Sequence, residues 1–221
     1  FGGLGCNFAN PAITGRVFLL LSFAGDMTTW VKPFYYHGLS IGNQLSSSAG
    51  SLDLDAVTSA TPLVTGTESL SNLFLGNVGG CIGETSALAL LLGGLFLIFT
   101  RVISPSTPIA YLGSLGILTF FHALATGGSL TEVPYALLSG GVMIGAFFMA
   151  TDYVTTPITT KGKWIFGIGC GILTFVIREF ASMPEGCSFS ILLMNLLTPY
   201  IDKFTMTKPL GAKPIKQKEE A

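Results

Sequence analysis

Long intervals without a charged side chain set the tightest limit on how this chain can fold. Sixteen residues separate Glu84 from Arg101, thirty separate Arg101 from Glu132, and nineteen separate Glu132 from Asp152. Lys163 to Arg178 encloses fourteen more and Glu185 to Asp202 sixteen, both rich in Phe, Leu, Ile and Gly. A charge at mid-bilayer costs about 2.5–3.5 kcal/mol on insertion scales, so the gaps between charges outline membrane spans. A bare span needs about 20 residues, so the shorter intervals must set their flanking charges at the interface or pack inside a bundle. A sixth span is predicted from Pro11 to Trp30, with Asn10 as N-cap and Pro11 at the first helical position, although it holds Arg16 and Asp26. Composition agrees: 49% of residues are hydrophobic and 10% charged, against about 25% charged in soluble domains.

The expected fold is therefore an all-α polytopic membrane protein of six transmembrane helices. The expected division is a membrane domain over 1–205 and a basic tail over 206–221. The first residue is Phe1 rather than Met, which predicts further N-terminal sequence outside this chain. A net charge of -1, with the one basic cluster confined to the last nineteen residues, argues against nucleic acid as a partner. Cysteines at 6, 81, 170 and 187 form no C-x-x-C pair and no metal spacing, so buried thiols are expected and no metal site.

Orientation follows from counting Lys and Arg in alternate non-membrane segments. With the tail cytoplasmic, that side holds nine: Arg16, Arg101, Lys161, Lys163 and the lysines at 203, 208, 213, 216 and 218. The other side holds Lys32 and Arg178. Residues 32–84 then form an extracytoplasmic loop rich in Ser, Thr and Gly. It is too long to be only a connector, and polar loops on rigid scaffolds commonly carry function.

Two glycine-rich stretches each precede an apolar run: Gly2-Gly3-Leu4-Gly5-Cys6-Asn7 before Asn10-Pro11, and Gly79-Gly80-Cys81-Ile82-Gly83-Glu84-Thr85-Ser86 before Ala87. Broken or re-entrant helix starts of this kind suit an anionic or carbonyl-bearing ligand, and an internal repeat would explain the pair. Glycines that only allow close helix packing would look the same. Asp152, in Ala150-Thr151-Asp152-Tyr153-Val154-Thr155-Thr156-Pro157, reads either as an N-cap or as a carboxylate for a cation or a flavin N–H. Glu84, Asp26 and Asp152 are the candidate ion-path acids. His122 reads as a structural histidine near the outer interface, and Arg178-Glu179 as an interfacial ion pair.

Four motifs carry a family resemblance. Residues 3–12, Gly-Leu-Gly-Cys-Asn-Phe-Ala-Asn-Pro-Ala, are the first. Gly79–Ser86, Met149–Pro157, and Ile177-Arg178-Glu179-Phe180 with Glu185-Gly186 complete the set. Together they resemble the family that joins the D-type subunit of the Rnf ion-translocating ferredoxin:NAD oxidoreductase to the B-type subunit of the sodium-translocating NADH:quinone reductase, over residues 2 to about 205. Within the loop, Asp55-Ala56-Val57-Thr58-Ser59-Ala60-Thr61 resembles the D-x-x-[ST]-[SG]-A-T sequence at which a flavin transferase esterifies FMN onto the last threonine. The resemblance implies covalent FMN on Thr61, with Asp55, Thr58, Ser59 and Ala60 as the recognition sequence. It also implies a second, non-covalent flavin such as riboflavin, for which Asn7, Asn10 and Asp152 are the candidate contacts; Gly80, Gly83, Glu84 and Thr85 are further candidate cofactor-binding residues. The short tail favours the Rnf-type subunit over the quinone-reductase subunit. Implied partners are the other membrane and peripheral subunits, including flavin- and iron–sulfur-bearing ones, in a bacterial or archaeal inner membrane. The chain has no NAD fingerprint and no cluster ligands of its own, and a flavin-free permease or channel subunit is the rival reading.

Overall fold

The computed structural model describes residues 9–27, 30–31, 58–59, 69–78, 80, 85–181 and 186–206. Their regular elements are helices apart from one two-residue antiparallel ladder, in which β1 (Trp30–Val31) pairs with β2 (Thr58–Ser59), Trp30 opposite Ser59. The helices are α1 (Pro11–Ser22), α2 (Ala24–Met27), α3 (Leu70–Leu75), α4 (Ala87–Phe99) and α5 (Ser106–Thr126). They are followed by α6 (Glu132–Leu138), α7 (Val142–Ile144, continuing as a π-helix over Gly145–Met149), α8 (Thr160–Phe180) and α9 (Cys187–Thr205).

Each charge-free interval thus contains a helix, and local chemistry sets where it starts and stops. Asn10 caps α1 through its side-chain oxygen, which accepts from the amides of Ala12 and Ile13 at 3.0 and 3.3 Å, with Pro11 following at N1. Ser86 caps α4, accepting from Ala89 N at 3.3 Å. Thr159 caps α8, accepting from Gly162 N at 3.0 Å. Gly76 ends α3 and Gly127 ends α5, both in the left-handed conformation that glycine reaches without strain.

The first span is shorter than its sequence interval: α1 stops at Ser22, and the chain reaches β1 through Phe23 and the four-residue α2. Among the described residues two helices, α5 and α8, are long and apolar enough to cross a membrane, and a third span is obtained if the bent pair α6 and α7 is counted as one.

Large apolar side chains cover the outside, and small polar ones are buried within the apolar core. Phe99, Ile117, Phe121, Leu124, Ile168 and Val176 face outward. Ser139, Thr155, Thr174, Ser190, Asn195 and Thr198 are buried. Such an arrangement suits a lipid surround, where small and polar residues join helices that apolar contacts alone cannot hold. The main core unites Ile13 and Val17 of α1 with Tyr111, Phe166, Cys170, Cys187, Ile191 and Met194. A fully buried polar knot crosses it. Tyr111 Oη lies 2.7 Å from Thr174 Oγ1 and donates to Cys187 Sγ at 3.2 Å, and Thr174 Oγ1 lies 2.8 Å from Ser190 Oγ. Cys170 and Cys187 are thus buried, as expected; Cys6 and Cys81 lie outside the described residues.

The fourth span is broken. Its two halves meet at 64° across Ser139, Gly140 and Gly141, with Gly140 at φ 65°. Carbonyls freed at such a break need donors. Arg178 supplies them: Nη1 donates to Ala136 O at 2.7 Å and Nη2 to Ser139 O at 3.0 Å, setting a positive charge at the carboxyl end of α6. This corrects the expected Arg178-Glu179 ion pair. Consecutive residues on a helix diverge, so Glu179 faces α5 instead, its Oε2 3.7 Å from His122 Nε2. His122 also packs edge-on against Phe175, centroids 5.7 Å apart, in keeping with a structural role.

Candidate functional site

The described helix ends divide between two ends of the bundle. One, the basic end, holds Asn10, Arg101, Asp152, Lys161, Lys163 and Lys203. The other, the loop end, holds the start of α4, the α5–α6 turn, His122 and Glu179, and the ladder follows α1 toward it. Three sets of contacts produce this division. Asn10 meets Asp152; Thr159 Oγ1 donates to Thr205 Oγ1 at 2.7 Å; and α5 and α8 run parallel, Gly167 against Ala110 and His122 against Glu179.

At the basic end five polar residues from three parts of the chain converge. The π-helix closes with Ala150 N donating to Gly145 O at 2.7 Å, and the chain then turns sharply through Asp152. Asp152 Oδ2 accepts from Thr155 Oγ1 at 2.9 Å and from Asn10 Nδ2 at 3.4 Å. Asn195 of α9, 1% exposed, takes the carboxamide orientation that satisfies both neighbours: its nitrogen donates to Thr155 O at 3.2 Å and its oxygen accepts from Asn10 N at 3.3 Å. Thr198 Oγ1 donates to the same Thr155 carbonyl at 3.0 Å. The first turn of α1, the 150–159 linker and α9 are thereby locked together.

Asp152 therefore does not cap the following helix; Thr159 does. Its Oδ1 accepts no hydrogen bond among the described residues, so this half-buried carboxylate keeps an open acceptor for an N–H donor or a cation.

Of the sequence-predicted residues, Asn10 and Asp152 are brought together. Gly80 and Thr85 are half-buried and lie before α4, whose thirteen residues separate its start from the basic end by about 20 Å of helix. Thr58 and Ser59 form β2. Asn7, Asp55, Ala60, Thr61, Gly83 and Glu84 lie outside the described residues. Asn195, Thr155 and Thr198 are contacts that charge counting missed. A carboxamide carries no charge, yet one inside the interval 186–201 is costly in lipid unless satisfied, and that cost was the available signal.

Asn195→Leu should destabilise the protein by about 1–3 kcal/mol, because it leaves the Asn10 amide without its acceptor, while Thr198 still serves the Thr155 carbonyl. Thr198→Val should cost under about 1 kcal/mol, since Asn195 still serves the Thr155 carbonyl. Thermal unfolding of the detergent-solubilised protein checks the order; equal midpoints for the two variants would contradict it.

The sequence profile of the NQR2, RnfD, RnfE family matches residues 1–211. Among relatives, the D subunit of the Na(+)-translocating ferredoxin:NAD(+) oxidoreductase complex of Acetobacterium woodii is 46% identical over 230 aligned residues, covering 100% of this chain and 64% of that protein. The D subunit of the proton-translocating ferredoxin:NAD(+) oxidoreductase complex of Clostridium ljungdahlii is 43% identical, covering 96% of this chain and 64% of the relative. With the D subunit of the ion-translocating oxidoreductase complex of Rhodobacter capsulatus the identity is 42%, over 84% of this chain and 57% of the relative. The chain thus spans 57–64% of the length of these relatives. The motifs that cap α1, precede α4, turn through Asp152 and place Arg178 lie inside the matched region, and the chain belongs to the NQR2, RnfD, RnfE family.

Proposed function

We propose that the chain is a membrane electron-transfer subunit carrying FMN as a phosphoester on Thr61. It works within a complex that couples ferredoxin:NAD oxidoreduction to movement of Na+ or H+ across a bacterial or archaeal cytoplasmic membrane. The observation that carries this reading is the identity to the Acetobacterium woodii protein along the whole chain, with the Asp55–Thr61 acceptor sequence in the predicted loop. The Acetobacterium and Clostridium relatives are named for different ions, so both ions stand.

A threonine hydroxyl is a competent phosphoester acceptor, and Ala60 before it leaves room for a bulky donor. The ladder to Trp30–Val31 holds Thr58 and Ser59, two residues short of Thr61, against a fixed partner strand. Positive charge at the basic end favours a cytoplasmic tail, with the Thr61 loop on the opposite, outer side. Asp152 with its open Oδ1, and Asn10 beside it, fit the polar edge of a second, non-covalent flavin such as riboflavin at the cytoplasmic end. Gly80 and Thr85, before the start of α4, lie toward the other end and suit the outer flavin rather than this one. When bound, the isoalloxazine ring supplies the redox chemistry. The protein's own part is tethering, which prevents loss of the outer flavin, and orientation of the inner one through a carboxylate held by Asn10 and Thr155. Partners are the other membrane and peripheral subunits, with a flavin transferase needed for maturation.

Protein purified from cells that contain the transferase should fluoresce under ultraviolet light after denaturing electrophoresis. Its peptide spanning Thr61 should be heavier by one esterified FMN. A colourless band and an unmodified peptide would favour the flavin-free permease.

A further inference from the structure

At the basic end, on the side of the 150–159 linker next to α5, lies a cavity of about 180 Å³. Its polar lining residues are Ser104, Thr107, Thr151, Tyr153, Thr156 and Lys163. None of its lining residues is acidic: Asp152 is turned to Asn10 and Thr155, and Asp202 accepts from Ile158 N at 3.1 Å. Several donors here lack acceptors. Thr107 is 2% exposed, and its hydroxyl has no hydrogen-bond partner among the described residues. Lys163 is half-buried and forms no ion pair among them. The amides of Ser106 and Thr107, first in the 21-residue α5, likewise have no acceptor among the described residues, and Pro105 before them offers no side-chain cap. The other hydroxyls are already committed: Thr151 donates to Phe147 O at 2.7 Å, Thr156 to Asp152 O, and Ser104 pairs with Ser106 at 2.9 Å.

We propose that this cavity binds the phosphate diester of an anionic phospholipid, held by the Lys163 ammonium, the Thr107 hydroxyl and the first amides of α5. A buried hydroxyl, a half-buried ammonium and a helix amino end all ask for an anion with several acceptor oxygens. Lipid is the source because the rim is apolar and outward-facing: Ile158 is 77% exposed, and Tyr153 and Trp164 stand exposed nearby, as aromatic residues do at a headgroup boundary. Tyr153 also donates to Val102 O, bridging the linker to the α4–α5 turn, so an occupied cavity braces the linker that carries Asp152.

The test uses the purified complex in neutral detergent, titrated with dioctanoyl phosphatidylglycerol, dioctanoylglycerol and inorganic phosphate. Phosphatidylglycerol should bind and the phosphate-free dioctanoylglycerol should not. Lys163→Met and Thr107→Val should each weaken phosphatidylglycerol about tenfold or more, while Lys161→Met, at an exposed lysine off the cavity, leaves it unchanged. Thr107→Val conserves shape, and unchanged thermal midpoints separate lost contacts from lost fold. Equal binding of both lipids, or phosphatidylglycerol affinity indifferent to the first two variants, overturns the site. Inorganic phosphate binding as tightly as phosphatidylglycerol, with the same variant sensitivity, overturns the lipid as its source.

Discussion

A chain carrying Thr61→Val should run dark under ultraviolet light on a denaturing gel beside a fluorescent wild-type band. Valine matches threonine in volume and in its branched, strand-favouring shape. What it lacks is the oxygen through which a phosphoester forms, so attachment should be abolished rather than reduced. Denaturant strips a flavin held only by contacts, and the gel therefore reads the covalent group alone. Ferredoxin-dependent NAD reduction by the assembled complex should fall to background in the same variant. Acid-extractable flavin should stay at the wild-type level, because the site proposed for the second flavin, at Asn10 and Asp152, is at the basic end of the bundle, away from the ladder that leads to Thr61. Co-purification of the other subunits in wild-type proportion shows that the chain still folds and assembles. A fluorescent band from the variant would move the attachment elsewhere and remove the electron-relay reading.

Charge spacing in the sequence was enough to find the apolar helices, though not α3 inside the predicted 32–84 loop, because an uncompensated charge in lipid costs more than any local propensity can repay. All six intervals contain helix, and the Asn10-Pro11 start of α1 is where capping chemistry puts it. Breaks inside the intervals left no such mark. Ser139-Gly140-Gly141 reads in sequence like any small-residue stretch, and only the contact of Ser139 with Arg178, 39 residues on, reveals a bent span whose carbonyls need donors. The same limit hid half of the basic-end cluster. Asn10 and Asp152 were legible because one precedes a helix and the other ends an apolar run. Asn195 sits mid-helix in α9, with no charge and no breaker beside it except Pro199, and its role exists only through the partners that folding brings to it. Two neighbouring residues, Arg178 and Glu179, show the converse. Adjacency in sequence suggested a pair, whereas helix geometry sends them to different helices.

Gly171→Ala should destabilise the bundle more than any other single methyl added to α8. An added Cβ there would run into Ser114 Oγ and come within 2.8 Å of Tyr111 O and 3.0 Å of Leu115 N. The serine side chain can rotate, but the two backbone atoms cannot yield without moving α5 as a whole. Gly167→Ala meets a similar wall, 2.7 Å from Ala110 Cβ and 2.8 Å from Thr107 O. Either change pushes the parallel α5–α8 pair apart, which stretches the buried Tyr111–Thr174 hydrogen bond as well as opening the packing. Overpacking of this kind costs about 1–3 kcal/mol, and the two changes together should leave little protein monodisperse after solubilisation. Gly113→Ala is the matched control on α5: it is exposed, with no atom within 4 Å of the new methyl, so it should be neutral or slightly stabilising through helix propensity. Thermal midpoints of the three single variants in one detergent decide the matter. If Gly171→Ala and Gly113→Ala melted together, the close approach of α5 and α8 would not be what holds the centre of this bundle.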